Sequence, residues 1–303
     1  MKYEEIIEHY SREDVTREIV DWCKDRWVSV HCERRDKKGK RLFLRYWPGR
    51  FRKPLTIRCE SDLRRILNEL KWLKPRSFYA SINAYRSLSK EDDVFGLDNV
   101  YSSIPTWDID NDLENWKATI LVAKIIGEKL HENGIEKSVF YKWSGRGMHV
   151  HVHPAAFSRE LTKKIHPLDL SFALVEFIRL KASDEIFKVK MKLKAEGLNV
   201  ENKIDARRVF TVPLSFHRDL DIVTVCLKDE NLDEFDLSWV QPKNFRHNDR
   251  WRDHKVGEAD RLALKAYEVI GGCPYLGYRK RRRKTKPVED MIRRFLDMDE
   301  KEK

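Results

Sequence analysis

Two periods alternate in the hydrophobic pattern of this chain, and the switches between them mark its elements. Residues 3–25 set Ile6, Ile7, Val15, Ile19, Val20 and Trp22 at helical spacing among charged positions. Residues 27–33 and 41–47 read as two strands joined by a polar turn at 36–40, a hairpin. Ser61 is placed to cap a helix running to about Leu73, with Leu63, Ile66, Leu67 and Leu70 on one face. Pro75 ends it, and residues 78–82 read as a strand, as do residues 106–110. Residues 115–132 predict a long helix with Ile120, Leu121, Ile125, Ile126 and Leu130 on its apolar side and Gly134 as its stop. A strand opens at Val139. After a short glycine loop, Met148, Val150 and Val152 alternate with His149, His151 and His153, which predicts a strand with one apolar and one imidazole face. Residues 159–197 read as helical with a break near Pro167. Residues 203–227 return to strand character on either side of a Pro-Leu-Ser turn. Residues 259–270 and 288–298 read as further helices. The sum is a mixed α/β (α+β) chain without internal repeats.

The 303 residues can bury one large core plus a smaller appendage. The division expected is a domain over 1–240, with an N-terminal α/β module over about 1–100 and a motif-bearing core over about 101–240. A basic C-terminal segment with short helices follows over 241–303. No run approaches the roughly 18 apolar residues of a membrane span, and the N-terminus lacks the apolar stretch of a signal peptide. A cytoplasmic protein without membrane partners is expected. The five cysteines are scattered without a C-x-x-C pair, which argues against a disulfide framework and offers no zinc spacing. A net charge of +11 suits a polyanion, of which nucleic acid is the common one, although a surface rich in both signs gives the same numbers. Residues 279–286 concentrate that charge: a grip on phosphates and a solvated tail are equally open readings.

The chemistry gathers in three places. Asp108 and Asp110 stand two apart on a strand and so share a face. Two carboxylates that close call for a cation between them or a proton on one of them. A divalent ion is the economical answer, and hard-oxygen ligands select Mg²⁺ or Mn²⁺. A strand-end turn is the blander reading of a single Asp-x-Asp. Residues 144–149, Ser-Gly-Arg-Gly-Met-His, form a turn with potential anion donors: the Ser144 hydroxyl, the Arg146 guanidinium, the His149 imidazole and free backbone N–H groups. The competing reading is an ordinary hairpin turn followed by a surface strand. Asp205, ahead of the Pro-x-Ser-x-His turn that ends at His217, could supply a third carboxylate; its alternative is a salt bridge to Arg207 or Arg208.

Taken in order, the Asp-x-Asp strand, the S-G-x-G-x-H-x-H-V run and the later Asp before P-x-S-x-H resemble the archaeo-eukaryotic primase superfamily. The likeness is greatest to the catalytic small subunit of archaeal DNA primase, over about residues 104–217. The resemblance implies a primase-like catalytic core with an RRM-like sheet carrying Asp108, Asp110 and His149. It implies Asp108, Asp110 and Asp205 as catalytic metal ligands for Mg²⁺ or Mn²⁺, and Ser144, Arg146, His149 and His217 as contacts to an incoming NTP or dNTP. The reaction implied is synthesis of short RNA or DNA strands on a single-stranded DNA template, with a large primase subunit as a possible partner. Two features depart from that family. Residues 111–143 contain no cysteine, where a zinc motif is usual, and Thr211 stands where a basic residue is expected. They leave room for a primase-polymerase or the polymerase module of an end-joining system. A non-catalytic nucleic-acid-binding protein and a metal-dependent phosphatase or nuclease are the competing classes.

Overall fold

The fold turns on two antiparallel sheets that share one hydrophobic core. The structure is a computed structural model and describes residues 1–274. Two short helices, α1 (Tyr3–Ser11) and α2 (Glu13–Cys23), open the chain, separated at Arg12 by one extended residue. The expected hairpin follows as β1 (Arg26–Arg35) and β2 (Arg41–Leu44). Helix α3 (Glu60–Glu69) starts before Ser61: the N-cap position falls on Cys59, and Asp62 accepts a hydrogen bond from the Arg58 N–H at 2.8 Å. Ser61 is therefore not the cap that spacing suggested. The Asp62 carboxylate, immediately before Leu63, instead ties down the Arg58 amide just ahead of the helix.

Strand β3 (Pro75–Tyr85) is the spine of the first sheet, whose order is β2-β1-β3-β4, with β4 spanning Val100–Ser103. The second sheet is built from β5 (Thr106–Asp110), β6 (Val139–Trp143), β7 (Met148–Val152), β8 (Asn199–Glu201) and β10 (Val225–Leu227), in the order β10-β6-β7-β5-β8. Helix α4 (Trp116–Glu132) joins β5 to β6. Helices α5 (Arg159–Lys164), α6 (Pro167–Lys181) and α7 (Ser183–Lys192) lie between β7 and β8. Pro167 begins α6 rather than merely breaking a helix. It sits in the first turn, where its missing N–H costs nothing, and His166 Nδ1 accepts the Leu168 N–H. A short strand, β9 (Val209–Thr211), returns to the first sheet beside β3. A short helix, α8 (Asp229–Leu232), and a longer one, α9 (Asp260–Ile270), complete the described elements.

The mixed α/β architecture matches the sequence expectation, and the sheet carrying Asp108, Asp110 and His149 is the one anticipated. Its histidine face is the surprise. All of β7 is buried, with His149 at 4% and His151 at 1% exposure. Helices α4 and α6 cover one side; Trp107 of β5 donates its indole N–H to the Val175 carbonyl of α6. The first sheet and α2 cover the other. There His149 meets Phe210 of β9 at 4.4 Å between ring centroids, and His151 meets Trp22 of α2 at 5.9 Å. Alternation reports which residues share a face, not whether that face is wet.

Residues 247–252 fold back onto α2. The buried Glu18 carboxylate lies 3.0 Å from His247 Nε2, accepts the Trp251 indole N–H at 2.8 Å, and pairs with Arg252 at 2.9 Å. The basic run at 279–286 and the helix expected at 288–298 lie outside the described residues.

Candidate active site

Strand β5 lies between β7 and β8, and the ladder register places Asp108 opposite both His149 and Glu201. Asp108 and Asp110 share a face, as residues two apart on a strand must. Their exposures differ sharply, with the Asp108 side chain 8% exposed and that of Asp110 59%. A buried, unpaired carboxylate would be driven towards its neutral form. Here the Lys203 ammonium stands against the cluster, with Nζ 2.7 Å from Asp108 Oδ2, 2.7 Å from Asp110 Oδ2 and 2.9 Å from Glu201 Oε2. Burial alone would raise the Asp108 pKa. The hydrogen bond from His149 and the charge of Lys203 outweigh it and hold the carboxyl well below the usual range, so Asp108 is ionised.

His149 Nε2 is 3.1 Å from Asp108 Oδ1. Burial pushes its pKa down although Asp108 pulls the other way, so the ring is neutral. Facing a carboxylate, the Nε2 side carries the proton and donates it, a tautomer assigned from the hydrogen bond. That leaves Nδ1 as a buried nitrogen without a partner among the described residues. On the neighbouring strand the wholly buried Lys142 donates to the Thr211 carbonyl at 2.9 Å and lies over the Trp22 ring at 4.3 Å. Burial pushes its pKa down to about 7.

The glycine loop is the four-residue turn of the β6–β7 hairpin, closed by the Trp143–Met148 pair. The Ser144 N–H and hydroxyl both donate to the Gly147 carbonyl, at 3.0 and 3.2 Å. They tie the turn to itself, so they are not among the free donors the sequence suggested. Glycine is required at both of its positions. Gly145 takes φ = +132°, and a Cβ there would meet the His217 ring at 2.4 Å. A Cβ on Gly147 would stand 2.0 Å from the Ile109 carbonyl oxygen. The loop is thus pressed between the Asp108–Asp110 strand and His217. The Arg146 side chain is exposed. His217 Nδ1 accepts the Asp219 and Leu220 N–H groups at 3.1 and 3.0 Å; burial, with Arg146 among the nearby charges, pushes its pKa down to about 4.

Asp108, Asp110 and His149 therefore meet, and the Ser144–Arg146 turn meets His217. Asp205, which lines the cavity beside Glu201 and Lys203, is held by its own neighbours in sequence. Its carboxylate accepts the Arg207 N–H at 2.7 Å and pairs with Arg208 at 2.9 Å, the salt-bridge alternative noted above. The third carboxylate beside Asp108 is Glu201. Neither Glu201 nor Lys203 had a periodic signal, because β8 is three residues long and reaches β5 only through a partner some 93 positions away.

No group of three or more His, Cys, Asp or Glu residues is preassembled as a metal site among the described residues. The donor chemistry nevertheless fits Mg²⁺ or Mn²⁺, since the oxygens of Asp108, Asp110 and Glu201 converge on one cation, here the chain's own ammonium. Beside Glu201 and Lys203 opens a cavity of about 940 Å³. Cations over aromatic rings line it: Arg45 over Trp27 at 4.9 Å, Arg52 over Tyr46 at 4.3 Å and Arg207 over Phe95 at 5.6 Å. The five cysteines are free thiols. No helix among the described residues is long and apolar enough to cross a membrane.

No protein-family model and no curated protein matches this chain. Among solved structures it is similar to the polymerase domain of ligase D from Mycobacterium tuberculosis, determined in complex with DNA. The likeness covers 89% of this chain and 90% of that one, at 13% identity and a TM-score of 0.51. The chain has a polymerase-domain fold. At that identity the likeness is one of fold.

Proposed function

We propose that this chain is a nucleotidyltransferase of the primase-polymerase kind, adding nucleotides to a strand under the direction of a DNA template. The observation that carries the reading is the packing of the glycine turn onto the carboxylate strand, with Gly147 against Ile109 and His149 bonded to Asp108. A phosphate-binding turn beside a carboxylate pair serves transfer of a nucleotide from a triphosphate. Pure binding of nucleic acid gains nothing from negative charge placed there, and a phosphatase or nuclease does not need the triphosphate cradle.

In this reading Asp108 and Asp110 hold Mg²⁺ or Mn²⁺, which when bound neutralises charge on the attacking and leaving oxygens of an in-line displacement. His149 fixes one oxygen of Asp108 and so aims the other. Arg146 is the exposed cation for the triphosphate, and His217, seated against the turn, stays neutral and limits where the nucleotide can lie. Ser144 acts through the turn it closes. Asp205 remains a candidate third ligand by resemblance, and Glu201 is the candidate by geometry. The arginine–aromatic cavity offers charge to a phosphate backbone and flat surfaces to bases.

Within the superfamily, extension of an existing strand is favoured over replicative priming with a large subunit. The supporting observation is the fold shared with a polymerase domain of a ligase in complex with DNA. The test is synthesis on single-stranded DNA with and without an annealed primer, supplying NTPs or dNTPs. Addition only to the primer supports this reading. Synthesis without a primer supports the archaeal primase small subunit, and no template-dependent addition under any condition overturns both.

A further inference from the structure

The cation at the centre of the candidate site belongs to the chain itself. Three carboxylate oxygens, from Asp108, Asp110 and Glu201, lie within 2.9 Å of Lys203 Nζ. The two sides of this contact are held very differently. Asp108 and Glu201 are cross-strand partners in the β5–β8 ladder, so their backbones are fixed relative to one another. Lys203 rises from residues 202–205, which belong to no helix or strand, and its side chain is 25% exposed. The carboxylates are the rigid part and the ammonium has a way out to water.

A divalent ion and an ammonium cannot both occupy this point. Magnesium needs its oxygens at about 2.0–2.1 Å, and two cations a few ångströms apart repel each other strongly where water is partly excluded. We propose that Lys203 is a built-in placeholder for the divalent cation. It neutralises the carboxylates while the site is metal-free, and it swings aside when Mg²⁺ or Mn²⁺ arrives. The identity of the ion rests on the nucleotidyl-transfer reading above. The lysine lowers metal affinity in the resting protein, since the ion must break three ion pairs to enter. Once displaced, its ammonium is released beside the cavity that carries Arg45 and Arg207, where a phosphate would take it up.

Two measurements on the full chain test this without reading activity. Mn²⁺ titration followed by electron paramagnetic resonance, with no nucleotide present, compares the wild type with Lys203→Met and Lys203→Arg. Lys203→Met binds Mn²⁺ roughly tenfold or more tightly than the wild type, because its competitor is gone. Lys203→Arg, which keeps the charge, stays within a few-fold of the wild type. The second measurement is reductive methylation of the wild type, with Lys203 followed by peptide mass spectrometry. The amine is protected in metal-free buffer and labelled at saturating Mn²⁺, and this experiment decides alone if Lys203→Met does not fold. Equal Mn²⁺ affinity in wild type and Lys203→Met, or unchanged labelling, makes Lys203 a permanent ion-pair partner and overturns the placeholder while leaving nucleotidyl transfer standing. Failure of every form to bind Mn²⁺ overturns the placeholder and the metal reading together.

Discussion

His149 reaches across the β5–β7 ladder to place its Nε2 3.1 Å from Asp108 Oδ1, with both side chains more than nine-tenths buried. The bond occupies one carboxylate oxygen and leaves Oδ2 to face the cation position. His149 is therefore a positioning residue for Asp108 as well as a candidate nucleotide contact. His149→Ala should weaken Mn²⁺ binding by about 10–100-fold, the usual cost of losing a partner behind a metal ligand. Triphosphate affinity should fall more than DNA affinity. Calorimetry with each ligand separates the two effects, and equal losses for triphosphate and DNA would count against a nucleotide contact.

The carboxylates themselves should not be equivalent. Asp108→Asn should abolish nucleotide addition, by on the order of 10³-fold or more, while the protein still melts cooperatively. Glu201→Gln should lower the rate at least about tenfold, since its oxygen converges on the same cation position. Asp205→Asn should cost far less, because that carboxylate serves Arg208. A loss in Asp205→Asn as severe as in Asp108→Asn would restore Asp205 to the metal and remove Glu201.

The glycine turn yields a stability prediction. Gly147→Ala should lower the melting temperature markedly, with a penalty of about 2–4 kcal/mol, because a backbone oxygen cannot step aside from a methyl group 2.0 Å away. Gly39→Ala, on an open hairpin turn with nothing within 4 Å, should cost only about 1 kcal/mol of backbone strain. Thermal melts of the two variants compare them, and equal losses would show that the turn does not rest on β5.

Acid should unfold this protein in two stages. Burial pushes the pKa values of His9, His31 and His217 down to about 4 and that of His153 to about 3, from the ordinary 6.5. The unfolded chain takes up these protons first, so the stability they confer is full above pH 6.5 and drains as the pH falls towards 4. Glu18, held at about 2 against its burial by His247, Trp251 and Arg252, acts at lower pH. Its contribution, on the order of 3 kcal/mol, is present above pH 4.5 and lost as the pH drops towards 2. Melting temperatures measured from pH 8 to pH 3 should fall throughout that range below 6.5. In Glu18→Gln the fall below pH 4.5 should be shallower, from a lower starting point. A flat profile between pH 6.5 and 4 would refute the histidine contribution.

Removal of residues 279–303 addresses the basic run. It should weaken DNA binding and flatten its salt dependence, each lost phosphate contact removing about 0.7–0.9 from the slope. Turnover on a saturating short template should survive, since Asp108, Asp110, Arg146, His149 and His217 all remain. An unchanged slope would assign residues 279–286 another task, such as docking a partner through the apolar positions Val288, Met291, Ile292 and Phe295.

The parts of the site that the sequence revealed are those written in local pattern. Asp108 and Asp110 are two apart on one strand, and the glycines flanking Arg146 announce a turn whatever surrounds it. The long helix over 116–132 and the strands on either side of it were likewise visible as period. What stayed hidden depends on pairing between distant segments. Glu201 owes its place to a three-residue strand that only the ladder with β5 defines. Lys203 looks like any charged loop residue until three carboxylates surround it. The buried state of His149 and His151 is set by Phe210 and Trp22, which arrive from other parts of the chain. Asp205 is conspicuous by its place in a motif, and its ion pair with Arg208, three residues on, is equally local.

The return of β9 to the first sheet fixes when the site can exist. Strands β5 to β8 are made between β3 and the strand that finally lies beside it. Phe210, the wall against which the His149 ring rests, therefore leaves the ribosome some 60 residues after that histidine. At about 5–20 residues per second, synthesis holds the carboxylate strand without that wall for several seconds. Pairings of such long sequence separation also close slowly, on the scale of milliseconds to seconds. The nascent chain passes through an interval in which Asp108 and His149 are made but unsheltered, and the site becomes competent only after both sheets have closed around it.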